Sequence, residues 1–137
     1  VKICLENLFE ASAEAQIEQF DYLFGRYPAD FLGLCIDTGH ANLVGGNEFI
    51  KLLATRYADR FFCQHLNDNK GWGKEDGCGD AHRLPGECNV DWKETMKLVR
   101  ASAYEQPFVM EVSKPEGEDC AHYLKRAYEA GVWMANL

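Results

Sequence analysis

Four short apolar runs, separated by longer amphipathic stretches, constrain this chain more than any other feature. They read as strands at Val1 to Leu5, Phe31 to Ile36, Arg60 to Leu66 and Pro107 to Val112. Each is nearly continuous in apolar residues, as parallel strands covered on both faces are. Between them the spacing turns helical. Ser12 stands as an N-cap before Ile17, Phe20, Phe24 and Tyr27, a stripe that Pro28 stops. Gly45-Gly46-Asn47 breaks the chain ahead of Phe49, Leu52, Leu53 and Tyr57. Asp91, with Glu94 three residues on, opens a helix whose buried face is Trp92, Met96 and Val99. Glu118 and Asp119 suit the positive end of a last helix, striped by Cys120, Tyr123, Leu124, Ala127 and Tyr128. A β-α unit repeated about four times calls for parallel strands with helices outside. Only the glycine-rich stretch from Asn67 to about Val90 is too long for a routine connection, and such loops are usually functional or mobile.

The strand ends carry the chemistry. The first run closes on Glu6, the second on Asp37, the third on His65 and the fourth on Glu111. The carboxyl ends of parallel strands are where α/β folds place their sites. Two positions before these residues stand Cys4, Cys35, Cys63 and Val109, all small and apolar. Residues two apart in a strand share a face, so converging polar ends would rest on a packed layer of small side chains. One imidazole among carboxylates suits Mn²⁺, Mg²⁺, Co²⁺ or Zn²⁺ better than a soft metal.

A second cluster lies beside the first. His40, in Asp37-Thr38-Gly39-His40, falls on the turn toward the next helix, and the long loop carries Asp80-Ala81-His82. These three could complete a second metal site or contact substrate oxygens. Asp68 is close enough in sequence to His65 to orient it. Cys4, Cys35 and Cys63 read as small buried hydrophobes of a reducing cytoplasm, and the absence of CxxC pairs argues against a zinc ribbon. No apolar run approaches the length of a membrane span. The formal charge of −8 opposes binding to a phosphate backbone and so disfavours nucleic acid as a partner.

The stretches Cys4-Leu5-Glu6-Asn7, Ile36-Asp37-Thr38-Gly39-His40-Ala41-Asn42-Leu43, His65-Leu66-Asn67-Asp68-Asn69, Asp80-Ala81-His82 through Pro85-Gly86, Val90-Asp91-Trp92 and Met110-Glu111 recur in a specific order. In that order and spacing the chain resembles the xylose-isomerase-like superfamily of (β/α)₈ barrels, and most of all its sugar phosphate isomerases and epimerases. The resemblance implies an α/β fold of the TIM-barrel type, with residues 1–137 forming a single half-barrel domain. It implies that Glu6, Asp37, His65 and Glu111 bind a divalent cation, that Glu6 and Glu111 double as the acid/base pair, and that His40 touches a small carbohydrate substrate. A cation that polarises a carbonyl and its neighbouring hydroxyl acidifies the C–H between them, which makes this chemistry coherent. The family usually has Gly where Cys88 stands.

Two other readings follow from the same residues. Apurinic-site endonucleases of the superfamily use a similar pattern, which Asp37, His40, His65, Asp80, His82 and Glu111 also match. And a closed barrel takes about 250 residues, so only the carboxyl-terminal half is expected here. A half-barrel leaves strand edges and an apolar inner face uncovered. The chain, beginning at Val1 already inside a strand, is therefore expected to be a fragment lacking its amino-terminal half, or else a homo-oligomer.

Overall fold

Ile3–Glu6 (β1), Leu32–Asp37 (β2) and Phe61–His65 (β3) form a parallel sheet in the order β1-β2-β3, in a computed structural model that describes residues 1–102 and 104–137. Parallel neighbours need a crossover, and helices supply it. The first, α1 (Ala13–Phe24), begins where expected, with the Ser12 hydroxyl accepting the Ala15 N–H at 3.3 Å. It ends before Tyr27, because Gly25 takes the C-cap position and its N–H donates to the Asp21 carbonyl. Tyr27 is left exposed.

The second helix, α2 (Thr38–Arg56), springs directly from β2. Its Asp37 N-cap accepts the His40 N–H at 2.7 Å, so residues 38–44 are helical where a turn was expected. The Gly45-Gly46 breaker appears as a kink inside this helix, with Gly46 at φ 64°. Then α3 (Trp92–Ala101) starts at its Asp91 cap, the Glu94 N–H lying 3.1 Å from the carboxylate, and buries Trp92, Met96 and Val99. The last helix, α4 (Cys120–Ala135), is capped by Asp119 and buries Tyr123, Ala127 and Met134. Cys120, Leu124 and Tyr128, expected on its stripe, are exposed. Residues spaced by four and seven along α4 face Leu84, Met110 and Val112, which leaves 124 and 128 one step around the helix, over solvent.

The expected fourth strand shrinks to one parallel bridge, Leu66↔Met110. Leu66 N–H donates to the Val109 carbonyl at 2.8 Å and Glu111 N–H to the Leu66 carbonyl at 3.2 Å. The ladder stops because the next backbone groups have other partners. Asn67 N–H donates to Thr38 Oγ1 and Asp68 N–H to the Arg83 carbonyl, while Pro107 has no N–H to offer.

Leu34, Ile36 and Phe61 project from the sheet into a core with Phe20, Phe49, Leu53, Met96 and Met134. The opposite face carries Cys4, Cys35 and Cys63. Cys35 is buried, but Cys4 and Cys63 are only partly so, and Val109 is exposed. The small-residue layer is thus present but incompletely packed, since among the described residues only three strands and a bridge enclose it. Among those residues, no helix is long and apolar enough to cross a membrane.

Candidate metal centre

A one-residue irregularity sets the site. Leu34 pairs with Phe61, but Cys35 pairs with Cys63 and Asp37 with His65, so Phe62 is the inserted residue of a β-bulge. Without it Gln64 would stand opposite Asp37 and take the place of His65 on that face. The bulge re-aims His65 onto the face of Asp37. Phe62 lies over Gly33, where a Cβ would sit 2.3 Å from its ring. On the other side Glu6 pairs with Cys35, two residues short of Asp37, a stagger of the kind that barrel closure requires.

Glu6, Asp37, His65 and Glu111 each offer a ligand atom, all within 4.8 Å of one another. His65 Nδ1 lies 2.8 Å from Glu111 Oε2, 3.1 Å from Glu6 Oε1 and 4.0 Å from Asp37 Oδ2. Asp37 is the anchor and is completely buried. Asn7 brackets its backbone, accepting the Asp37 N–H at 2.8 Å and donating to its carbonyl at 3.0 Å. Asn67 Nδ2 donates to Asp37 Oδ2 at 2.8 Å. Burial pushes the Asp37 carboxyl above its ordinary value, and the His40 N–H and ring offset only part of this. A buried carboxylate beside two more carboxylates and an imidazole fits a divalent cation, which would supply the missing positive charge.

His40, Asp80 and His82 form the second group, again with ligand atoms within 4.8 Å. His40 Nδ1 lies 3.0 Å from the Asn7 carbonyl and His82 Nδ1 lies 2.7 Å from the Glu111 carbonyl. A carbonyl only accepts, so each Nδ1 donates to it and each Nε2 is left to face the other side of its ring. Both Nε2 atoms face Asp80 Oδ1, at 3.5 Å from His40 and 3.1 Å from His82. Burial lowers the His82 pKa, but the bond to the Glu111 carbonyl and the Asp80, Asp37 and Glu111 charges outweigh it and raise it overall. His82 also holds φ at 45°, a left-handed conformation uncommon outside glycine. His40 Nδ1 approaches Glu6 Oε1 at 3.4 Å, which links the two groups.

The structure thus brings Glu6, Asp37, His65 and Glu111 together in one group and His40, Asp80 and His82 in a second, and it corrects one supporting role. Asp68 does not orient His65. Its carboxylate accepts from Gly86 N, Cys88 N, Val90 N and Trp92 Nε1, and so pins the long loop to α3. The supports of Asp37 are instead Asn7 and Asn67, to which the sequence pattern gave no metal-site role. Their signal was only adjacency, one residue after Glu6 and two after His65.

A parallel sheet with carboxylates and an imidazole gathered at its carboxyl ends defines half of an α/β barrel, and residues 1–135 match the xylose isomerase-like TIM barrel family. The chain belongs to that family. It is 35% identical over 111 residues to an uncharacterised protein, y4fM, of Sinorhizobium fredii, covering 81% of this chain and 33% of that one. Among solved structures it is similar to a D-tagatose 3-epimerase-like protein, with TM-score 0.64, 23% identity and 99% of this chain covered. The IolI protein with a bound zinc atom gives TM-score 0.69, 21% identity and 98% coverage. The 3-keto-D-glucoside 4-epimerase of E. coli gives TM-score 0.64, 17% identity and 100% coverage. The chain spans about half of each solved relative, 48%, 49% and 46% in the same order.

Proposed function

We propose that this chain is the carboxyl-terminal half-barrel, residues 1–137, of a divalent-metal-dependent isomerase or epimerase of a small sugar or sugar phosphate. The observation that carries the proposal is the convergence of Glu6, Asp37, His65 and Glu111 within 4.8 Å at the ends of parallel strands. These four would hold Mn²⁺, Mg²⁺, Co²⁺ or Zn²⁺, and the zinc in the related IolI structure supports the assignment. When bound, the cation supplies Lewis-acid polarisation of a substrate carbonyl and its neighbouring hydroxyl.

The chain's own carboxylates move the proton. Glu6 Oε1 and Glu111 Oε2 both approach His65 Nδ1, so they flank the place where a coordinated substrate would lie. One takes the C–H proton, and the same or the other returns it. Return to the neighbouring carbon isomerises; return to the opposite face epimerises. His40, its ring held by the Asn7 carbonyl at Nδ1, presents Nε2 to a substrate oxygen. The similarity to a D-tagatose 3-epimerase-like protein and to a 3-keto-D-glucoside 4-epimerase supports this chemistry, and the −8 charge suits a small polar substrate over a nucleic acid. Six free thiols suit a cytoplasmic setting. The barrel is closed by a partner, either the amino-terminal half or a second copy. Light scattering of the isolated chain should then give at least a dimer, and a stable monomer would contradict closure by a second copy.

The test of the reaction is solvent exchange. Ketoses and sugar phosphates incubated with the protein in deuterated water should take up deuterium at carbon only when Mn²⁺ or Co²⁺ is present, and Glu111→Gln should abolish uptake. A second reading is favoured by one observation, the gathering of His40, Asp80 and His82 with both Nε2 atoms facing Asp80. That group could hold a second cation, as in an apurinic-site endonuclease-like phosphodiesterase. More than one zinc per chain, with cleavage of abasic DNA and no carbon exchange, would replace the first reading by the second.

A further inference from the structure

One layer below the carboxylates the same strands present sulfur. Cys35 and Cys63 are register partners across β2 and β3, brought opposite each other by the Phe62 bulge. Being two residues before Asp37 and His65, they lie on the same face as those ligands. Cys35, Cys63 and His65 each offer an atom, and these lie within 4.8 Å of one another. Neither thiol is in a disulfide. Cys35 is 3% exposed, whereas Cys63 and His65 are partly open on the inner face, which gives an ion a way in.

We propose that Cys35, Cys63 and His65 form a second cation site, selective for a thiophilic metal ion of the Cd²⁺, Zn²⁺ or Cu⁺ class. Two sulfurs and an imidazole are soft donors, unlike the oxygen-rich set above them. The spacing suits zinc–sulfur bonds of about 2.3 Å, or the longer ones of Cd²⁺, with a small inward movement of the side chains. On binding, each thiol releases its proton to solvent and the sulfur lone pair forms the bond to the metal. His65 belongs to both groups, so the two sites exclude each other. A soft ion held by the cysteines takes the imidazole away from the hard site and leaves Glu6, Asp37 and Glu111 without it. The inference concerns ligand chemistry alone and stands whether or not the chain acts on sugars.

The experiment is a Cd²⁺ titration of the reduced whole chain, followed by the ultraviolet charge-transfer absorbance of cadmium–thiolate bonds. One equivalent of Cd²⁺ should produce the band. Cys63→Ser, at a partly exposed position, and the Cys35→Ser/Cys63→Ser pair should both remove it, with far-ultraviolet circular dichroism reporting that each variant is folded. His65→Ala should weaken Cd²⁺ binding at least about tenfold. Replacing Cys78, Cys88 and Cys120 together by Ser should leave the band intact. Absence of the band in the unaltered chain would overturn the proposal, as would its survival in the folded Cys63→Ser variant. A band lost with Cys78, Cys88 and Cys120 would place the metal elsewhere and overturn it too. Retention of Mn²⁺ by the four-ligand group is a separate measurement, so the two assignments can fail independently.

Discussion

Replacing Asp68 by Asn alters almost no volume and should nonetheless cost the fold a large part of its stability. Oδ2 of Asp68 accepts from Gly86 N at 3.1 Å, Cys88 N at 3.0 Å and Trp92 Nε1 at 2.9 Å, and Oδ1 accepts from Val90 N at 3.1 Å. The residue is completely buried. In Asp68→Asn the amide oxygen can keep the three-donor position, but each bond loses its charge assistance, about 1 kcal/mol apiece. The amide nitrogen then points at the Val90 N–H and leaves a buried donor unpaired, for about 1–3 kcal/mol more. The expected loss is roughly 4–6 kcal/mol, read as a lower urea midpoint at unchanged slope. Trp92→Phe removes one of the same donors, so the double variant should lose less than the sum of the two. Limited proteolysis should also cut faster between residues 67 and 90, because the clamp is what fixes that loop. A loss below about 1 kcal/mol, well under what even one unpaired buried donor and three weakened bonds imply, would refute this reasoning.

Other consequences are as direct. A Cβ on Gly39 would fall 1.9 Å from Asn67 Oδ1 and 2.9 Å from its Cγ, so Gly39→Ala must push Asn67 off Asp37. It should cost about 1–3 kcal/mol in urea and weaken Mn²⁺ binding at least about tenfold; unchanged binding would deny Asn67 its supporting role. Gly33→Ala meets the Phe62 ring at 2.3 Å and the Arg60 carbonyl at 2.8 Å, and should destabilise by about 1–3 kcal/mol without touching a ligand. Burial raises the Asp37 pKa above its unfolded value. Its contribution to the metal-free fold is therefore whole below the ordinary carboxylate range and is lost as pH rises through the raised value. Thermal melts of the metal-free protein should show that loss relative to Asp37→Asn, and added Mn²⁺ should reverse it; parallel pH profiles of the two proteins would contradict the assignment.

What the sequence made legible follows from what each feature depends on. Strand runs and their polar ends depend on local pattern, and β1, β2, β3 and the four converging residues were all readable from it. Helix starts depend on caps a few residues long, and Ser12, Asp91 and Asp119 stood where their helices begin. The rest depends on partners distant in the chain. Nothing near Phe62 announces a bulge, because the bulge is a relation between β2 and β3 that sets Asp37 against His65. Leu124 and Tyr128 look like stripe residues until α4 is placed against Leu84 and Met110. Asn7 and Asn67 are unremarkable amides until a buried Asp37 needs their hydrogen bonds. Pro107 to Val112 has the composition of a strand, yet the backbone it would pair with turns away after Leu66 to reach Thr38 and Arg83.

The claim on which the account stands is that Glu6, Asp37, His65 and Glu111 hold one divalent cation together. Calorimetric titration of the metal-stripped protein with Mn²⁺, repeated on His65→Ala and Glu111→Gln, tests it most directly. One ion per chain is expected in the unaltered protein, with affinities reduced at least about tenfold in both variants, since each removes a donor. Stoichiometric binding that either variant leaves unchanged would remove that residue from the ligand set, and with it the four-residue site.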